Sequence, residues 1–588
     1  MSVGITEYSW ASQANRILVP LNGALYVQDG VGDGADATLR RLFDPSDGRW
    51  ADVGSGPLLD AKLSADGEQA FFLWADEVCA CMITSGEADK CTPRRLTFGA
   101  RDNGVANGVA DYCAQEEMDR YTGYWPSPGG GDLVAFEEVD ERHIPLFQIM
   151  NQGVDDPHAM NEAHRYPFAG APNPKVRLGV VQADAAPTDA PTWFDLSAPF
   201  GDDFYLARVQ WAPNPEASET ATPSVLLVQV QSRDQRSLAL LRLDPTTGGV
   251  STVLTETSES WINLHNDLRP LDGGRELLWA SERSGWRHLY VHSALTGECL
   301  RQLTTGQWVV DALLDVDKTG AAAAAGGESF AYFLGNPEAG PGSSPLEAGA
   351  YSEQHLFRVR LDGSDALPER LTPEVGVHAG IALANSRTCF VDQYSSAKDP
   401  VRAAITGLPA PSTTASADEP SGQSYRIADE APAVEKLLHS AREADPRVAA
   451  LSPVLQPPRF VSFPSTDGAV ELLAALYEPD EAVHGAGPYP TIVSCYGGPH
   501  VQFVQNTFAM MTADLRAQLL RAQGYLVVKV DNRGSDRRGL AFEAAICGQL
   551  GCLEVDDQVA AVKYAVAEGL ADPERVGIMG WSYGGYLS

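Results

Sequence analysis

Short apolar runs separated by turn residues fill roughly the first 400 positions of the chain. One unit begins at the turn Ser64–Gly67, continues through the apolar run Ala70–Trp74 and ends at Arg95–Thr97. Similar units span Asp272–Thr304 and His355–Thr372. Short apolar runs bounded by Gly, Asp, Asn and Pro are typical of strands, and four-stranded units repeated about every 40–60 residues are typical of propeller blades. We therefore predict a β-propeller domain over residues 1–450, with an array of β-sandwiches as the alternative.

The pattern changes after residue 401. Residues 401–430 are rich in Pro, Ser and Thr, which predicts a loop-rich insert, and Glu435–His439 suggests a short helix. From residue 457 onward, apolar runs alternate with segments of helical period: strands are predicted at 459–463, 470–477, 491–495 and 525–530, and helices at 510–521 and 555–568. Strands that alternate with helices indicate a parallel sheet covered by helices. We therefore predict an α/β domain over residues 457–588.

A candidate nucleophile follows the last strand of this domain. The strand Val576–Met579 runs into Gly580-Trp581-Ser582-Tyr583-Gly584, which has the G-x-S-x-G form of a strained strand-to-helix turn. Glycines are needed there because strand and helix crowd together, so Ala or Ser at Gly580 or Gly584 should be harmful. We interpret Ser582 as a nucleophile, with an ordinary glycine turn as the alternative.

The acid and the base of a catalytic triad are expected after such a serine. In α/β-hydrolases the order is Ser, then Asp or Glu, then His, and residues 583–588 contain none of these acids or bases. Asp556 and Asp557 precede Ser582 and are better explained as helix-cap or surface residues. We expect the domain to be truncated after the nucleophile turn, and the chain by itself to be inactive or barely active.

Composition excludes several classes of protein. The chain has 43 basic and 78 acidic residues and a net charge of −35, which repels nucleic acid and anionic membrane surfaces. No run approaches the roughly 18–20 apolar residues of a membrane span, and the first residues do not form a signal peptide. Nine scattered cysteines suggest reduced thiols without metal-ligand spacing. We therefore expect a cytoplasmic protein without nucleic-acid or membrane partners.

Several motifs resemble one known family. They are Gln115–Trp125, Tyr496–Pro499, Asp531–Ser535, Arg538–Glu543 and the run Gly580–Tyr586 that contains Ser582. Together they resemble the dipeptidyl peptidase IV family of the prolyl oligopeptidase group, and most of all its cytosolic dipeptidyl peptidase 8/9 branch and bacterial relatives. The resemblance implies a β-propeller, eight-bladed in the whole protein, joined to an α/β-hydrolase domain that is incomplete here.

The resemblance also implies roles for individual residues. Glu116 and Glu117 match the glutamates that hold the free α-amino group of the substrate, although adjacent glutamates are more often a solvated surface. Tyr496 matches a tyrosine that stabilises the oxyanion, with a packed aromatic residue as the alternative, and the backbone N–H of Tyr583 is the other donor. Tyr586 is assigned to substrate binding. A second pair, Glu137-Glu138, is interpreted as surface.

The implied activity is that of a serine-type dipeptidyl peptidase. Such an enzyme releases Xaa-Pro or Xaa-Ala dipeptides from peptides with a free N-terminus. It needs no metal and no organic cofactor, and a homodimer is possible. The alternative is a catalytically dead scaffold that binds peptide N-termini without cutting them.

Overall fold

The computed structural model forms two compact units, Met1–Leu264 and His265–Ser588. It describes the following residues: 5, 7–30, 39–46, 56–83, 92–100, 104–128, 131–153, 161–185, 189–216, 224–317, 328–337, 350–364, 367–411, 424–428, 432–451 and 454–588.

The described residues of the first unit form four antiparallel sheets of four or five strands. The first two sheets are β1 (Ser9–Trp10), β2 (Arg16–Leu21), β3 (Ala24–Asp29) and β4 (Arg40–Phe43), then β5 (Leu58–Leu63), β6 (Gln69–Trp74), β7 (Glu77–Met82) and β8 (Arg94–Arg95). The third contains β9 (Val105–Asn107), β10 (Tyr124–Pro126), β11 (Leu133–Asp140), β14 (Lys175–Gln182) and β15 (Thr192–Phe194), with helix α1 (Tyr112–Glu117) between β9 and β10. The fourth contains β16 (Phe204–Pro213), β17 (Ser224–Ser232), β18 (Ser237–Leu243) and β19 (Val250–Thr257). A separate hairpin is formed by β12 (Leu146–Met150) and β13 (Asn161–Arg165).

Strand β6 shows how these sheets pack. Its side chains point alternately to opposite faces of the sheet. Phe72 and Trp74 join a core with the first sheet, whereas Phe71 and Leu73 join a core with the third. A four-stranded sheet that is covered on both faces by its neighbours in the chain has the packing of a propeller blade.

The second unit begins with three more antiparallel sheets of this kind among its described residues. They are β20 (Leu268–Leu271), β21 (Glu276–Ser281), β22 (His288–Ser293) and β23 (Cys299–Gln302); β24 (Val310–Val316), β25 (Phe330–Gly335), β26 (His355–Arg360) and β27 (Glu369–Arg370), with β31 (Arg426–Ile427) parallel to β27; and β28 (Val377–Leu383), β29 (Cys389–Ser395), β30 (Arg402–Gly407) and β32 (Val434–Ser440). Strand β32 pairs with β30, so the helix predicted at Glu435–His439 is wrong.

The remainder of the second unit is an α/β layer structure. Its elements are α2 (Ala441–Ala444), α3 (Pro446–Leu451), β33 (Arg459–Pro464), β34 (Glu471–Tyr477), α4 (Glu481–His484), β35 (Tyr489–Cys495), α5 (Leu515–Ala522), β36 (Leu526–Asp531), α6 (Leu540–Glu543), α7 (Leu553–Ala567), β37 (Ala571–Gly580) and α8 (Tyr583–Leu587). The strand order is β33-β34-β36-β35-β37, with β36, β35 and β37 parallel. Helix α7 packs its small residues Ala560, Ala561 and Ala565 against the sheet. The parallel strands direct their carboxyl ends to one edge, where ligands bind in open α/β sheets.

Some expectations remain predictions. The predicted boundary between residues 450 and 457 lies inside the second compact unit. Within the predicted insert, residues 412–423 and 429–430 lie outside the described residues. The structure describes seven sheets with blade-like strand pairing, and an eighth blade stays a prediction.

In the described part of the chain, no helix is long and apolar enough to cross a membrane. Cys81 is disulfide-bonded, so the expectation that the thiols are reduced is wrong there.

A buried ion pair gives a test of blade packing. Arg358 donates to Glu369 at 2.7 Å, and both side chains are at most 3% exposed. Removing Arg358 leaves the buried Glu369 carboxylate with the more distant Arg426, whose Nε lies 3.9 Å away, so Arg358→Met should lower the free energy of unfolding by about 3 kcal/mol. The matched control is Arg360→Met, because Arg360 pairs with the partly exposed Glu328, and the loss there should stay below about 1 kcal/mol. Chemical denaturation measures both, and equal losses would contradict the prediction.

Candidate active site

Ser582 lies on the turn between β37 and α8. Its backbone has φ +57° and ψ −119°, and its side chain is exposed. A positive φ is uncommon for a residue with a side chain, and such a conformation costs about 1–3 kcal/mol. The fold therefore pays conformational energy to hold this serine out from the carboxyl end of a strand.

Two glycines make the turn possible. A Cβ on Gly580 would lie less than 3.0 Å from the backbone of Gly584, and one on Gly584 would lie less than 3.0 Å from the carbonyl oxygen of Cys495 in β35. Gly585 differs, because its nearest neighbour would be 3.8 Å away. The strand, the helix and the adjoining strand thus meet through backbone atoms alone.

Tyr496 comes immediately after β35. Cys495 is opposite Gly580 in the parallel pairing of β35 with β37, so Tyr496 leaves the same edge of the sheet as Ser582. Its ring centroid lies 6.3 Å from that of Tyr583. The structure therefore brings Ser582, Tyr496 and Tyr583 together.

Tyr583 is held by a buried carboxylate that the sequence did not reveal. Its hydroxyl donates to Glu554 at 2.6 Å, and Glu554 is fully buried and also accepts the backbone N–H groups of Gly551 and Cys552. Burial and this carboxylate raise the pKa of the Tyr583 phenol. Tyr586 is exposed and packs edge-on against Tyr583 at 5.3 Å. Glu554 thus holds the side chain of Tyr583, the residue directly after Ser582, in one position.

The loop after Tyr496 is fixed from the neighbouring strand. Asn532 donates to the carbonyl oxygen of Gly497 at 3.0 Å and accepts from Gln558 at 3.0 Å. Arg533, the next residue, binds Asp557 through two nitrogens at 3.0 and 2.7 Å. Asp557 is fully buried, so its interpretation as a cap or surface residue is wrong, whereas Asp556 is exposed.

Glu116 and Glu117 lie in the first unit, at the end of α1. Asp111 caps this helix by accepting the backbone N–H groups of Cys113 and Ala114. Ala114 is buried and belongs to a small apolar cluster with Met118. Since one face of the short helix is buried in this way, both glutamates project from the exposed side.

The segment after the glutamates is tied down by Arg120. Its guanidinium binds Glu137 through two bonds of 2.8 and 2.9 Å and donates to the carbonyl oxygen of Leu206 at 3.1 Å. Glu137 is fully buried, so the interpretation of Glu137 as surface is wrong. Glu138 pairs with Arg177 in a partly exposed position. The available signal was that Glu137 directly follows the apolar run Leu133–Phe136 in β11, since a charged residue buried in such a strand requires a partner.

Two further observations concern metal ligands and the location of the candidate site residues. Within the described residues, no group of three or more His, Cys, Asp or Glu could hold a metal ion. The nucleophile turn and the glutamate pair belong to different compact units.

Similarity to known proteins agrees with this geometry. Residues 29–401 match the family model of the dipeptidyl peptidase IV N-terminal region, and residues 511–588 match that of the prolyl oligopeptidase family. Human dipeptidyl peptidase 8 is 27% identical across all of this chain and 67% of its own length. The mouse dipeptidyl peptidase 8 is 29% identical across 90% of this chain and 61% of its length.

Two further relatives agree. The probable dipeptidyl-aminopeptidase B of Emericella nidulans is 26% identical, with 89% of this chain and 54% of that protein covered. The crystal structure of Porphyromonas gingivalis dipeptidyl peptidase 4 has the same fold, with a TM-score of 0.74 and 21% identity over 99% of this chain and 72% of that one. The chain spans about two thirds or less of the length of these curated relatives.

Blade-like sheets followed by a serine turn on a parallel sheet define a protein with a β-propeller and an α/β-hydrolase domain, as the sequence predicted. Because the N-terminal model covers more than half of the chain, the chain belongs to the dipeptidyl peptidase IV family. The resemblance stated from the motifs is thereby confirmed. The roles of the individual site residues stay predictions.

The glycine contacts predict a sharp difference between two adjacent substitutions. Gly584→Ala should destabilise the α/β domain by about 1–3 kcal/mol or more, because the added methyl group meets a backbone carbonyl that cannot rotate away. Gly585→Ala should be neutral or slightly stabilising, since Ala favours helix and has room there. Thermal unfolding of both variants tests the contact, and equal melting temperatures would contradict it.

Asp531 predicts a pH dependence. Burial raises the pKa of the Asp531 carboxyl to about 7. Hydrogen bonds from the backbone N–H groups of Phe503 and Val504 act in the opposite direction and lower this pKa, but burial has the larger effect. The raised pKa means that the folded state favours the neutral acid, so this contribution to stability is present at low pH and is lost as the pH rises toward 7.

Asp531→Asn keeps an oxygen for both donors but cannot ionise. The unfolding free energy of the wild type relative to this variant should fall by about 2–3 kcal/mol between about pH 5 and about pH 8. Denaturation at each pH measures the change, and the exposed Glu574→Gln serves as the control. A difference that does not vary with pH would refute the assignment.

Proposed function

We propose that the protein containing this chain is a serine dipeptidyl peptidase that releases N-terminal Xaa-Pro and Xaa-Ala dipeptides. The observation that carries the proposal is the strained turn of Ser582, held by the backbone contacts of Gly580 and Gly584 at the carboxyl edge of the parallel strands. Similarity to proteins named dipeptidyl peptidase supports the same activity.

In this proposal Ser582 is the nucleophile. Its Oγ attacks the carbonyl carbon of the peptide's second residue while a general base takes the proton, and the amine of the third residue leaves. The hydroxyl of Tyr496 and the backbone N–H of Tyr583 donate to the oxyanion that forms. The hydrogen bond from the Tyr583 hydroxyl to Glu554 supports this role, because it holds the residue whose N–H must point at the oxyanion.

Glu116 and Glu117 are the proposed ligands of the substrate's α-ammonium group. Both carboxylates are exposed on a helix that is capped at its start by Asp111 and followed by the buried Arg120. Charge-assisted hydrogen bonds from an ammonium group to carboxylates are among the stronger ones. Recognition of the free α-ammonium group would restrict the enzyme to peptide N-termini, as an exopeptidase requires. Tyr586, beside Tyr583, is proposed to contact the substrate near its second residue.

The proposal extends to the compartment and the partners of the protein. We propose a cytoplasmic enzyme that acts on peptides, does not bind nucleic acid or membranes, and can form a homodimer. The net charge of −35 supports the absence of nucleic-acid and anionic-membrane partners.

Peptide binding tests the amine site. A peptide that begins Gly-Pro should bind the chain at least about tenfold more tightly than its N-acetylated form, because acetylation removes the charge that the glutamates pair with. Glu116→Gln and Glu117→Gln should each lose about tenfold in affinity for the free peptide, measured by calorimetry. Glu138→Gln is the matched control and should bind within about twofold of the wild type, since Glu138 pairs with Arg177. Equal affinity for the free and acetylated peptides would refute the amine site.

A further inference from the structure

An aromatic surface adjoins the glutamate pair in the first unit. Tyr112 is the first residue of α1 and precedes Glu116 by four positions, so the two side chains lie on the same face of the helix, one turn apart. Tyr112 is 40% exposed, and Glu116 and Glu117 are exposed as well. An exposed tyrosine ring therefore stands beside the two carboxylates.

The ring of Tyr112 is backed by aromatic residues of the β12–β13 hairpin and of the segment directly after it. Tyr166 packs edge-on against Tyr112, with ring centroids 5.3 Å apart. Phe147 and Phe168 lie behind Tyr166, at 6.1 and 5.4 Å. Edge-on aromatic pairs at these separations are favourable beyond the area that they bury. We call Tyr112, Tyr166, Phe147 and Phe168 the aromatic wall.

One side-chain and one backbone hydrogen bond hold the base of the hairpin in place. The guanidinium group of Arg165 donates to the carbonyl oxygen of Ile144 at 2.6 Å. The backbone N–H of Tyr166 donates to the carbonyl oxygen of Pro145 at 3.3 Å. Phe147 is paired with His164 across the hairpin. Tyr166 is thus positioned by both strand ends, and Tyr112 rests on a fixed partner.

The charges of the two carboxylates also act on the phenol of Tyr112. The pKa of Tyr112 is raised by burial and then by Tyr166, Glu116 and Glu117, since nearby negative charge opposes formation of a phenolate. Like any tyrosine, Tyr112 is uncharged at neutral pH, and its ring presents an apolar face next to two negative charges.

We propose that the aromatic wall is the subsite for the side chain of the substrate's first residue, so that the protein prefers peptides whose first residue is aromatic or large and apolar. The inference rests on the proposed function, since it needs the α-ammonium group at Glu116 and Glu117. A first residue bound by its amine at Glu116 has its Cα next to the ammonium nitrogen, and its side chain then reaches the ring of Tyr112 one helical turn away. A glycine at that position has no side chain to place on the wall.

Binding of two matched peptides tests the wall. The peptides begin Phe-Pro and Gly-Pro, are otherwise identical, and are titrated into the chain by calorimetry. We expect the Phe-Pro peptide to bind about tenfold more tightly, a preference of the size that an aromatic contact with its buried area supplies. Tyr112→Ala should reduce that preference to less than about twofold while leaving the affinity for Gly-Pro within about twofold of the wild type.

Two further variants separate the roles of ring and helix. Tyr112→Phe keeps the ring and should keep the preference, which shows that the ring and not the hydroxyl is responsible. Tyr121→Ala removes an exposed tyrosine from the same segment and should leave both affinities unchanged. The proposal is overturned if the wild type does not discriminate between the peptides, if Tyr112→Ala keeps the preference, or if it weakens both peptides equally, since the ring would then serve only to hold α1.

Failure of this proposal can be told apart from failure of the amine site. If N-acetylation weakens binding but Tyr112→Ala does not change the Phe-Pro preference, the amine site stands and the aromatic wall is wrong. If N-acetylation does not weaken binding, the peptides are not held by their amine, and both proposals fall together.

Discussion

The contact on which the α/β domain depends is the one between Gly584 and the carbonyl oxygen of Cys495. Because neither Gly580 nor Gly584 has a Cβ, strand β37, helix α8 and strand β35 can meet through their backbones. That approach gives Ser582 its positive φ, and it sets Tyr496 beside the turn because Tyr496 follows Cys495 directly. One steric constraint thus positions the serine and both proposed oxyanion donors.

Each unit also contains a buried arginine–carboxylate pair that fixes a chain segment next to proposed functional residues. Arg120 and Glu137 fix the segment that follows the two glutamates, and Arg533 and Asp557 fix the strand end next to the loop of Tyr496. Such pairs add little net stability compared with apolar residues of the same volume, but losing one partner is costly. In this protein the two pairs hold their chain segments in a single conformation, and those segments carry the exposed functional groups.

Much of the architecture could be predicted from the sequence, and the failures share a cause. The continuous apolar run of β6 and the glycines of the serine turn are local signals, so they can be recognised within a few residues. Glu137 and Asp557 were assigned to the surface because their arginine partners are 17 and 24 positions away, and no local pattern links them. Residues 434–440 form a strand because they pair with β30, which overrides a sequence with helical propensity. Glu554 could not be found either, since its partner Tyr583 is recognised only once the turn is folded.

Ser582 is proposed as the nucleophile of an enzyme that removes dipeptides. This assignment is tested most directly by mass spectrometry of the products when protein expressed from the complete reading frame is incubated with a Gly-Pro-initiated peptide. We expect release of the intact dipeptide, no release from the N-acetylated peptide, and no release by a Ser582→Ala variant. Peptide that binds but stays uncut would support a scaffold that only holds peptide N-termini, and release that persists in the Ser582→Ala variant would contradict the account.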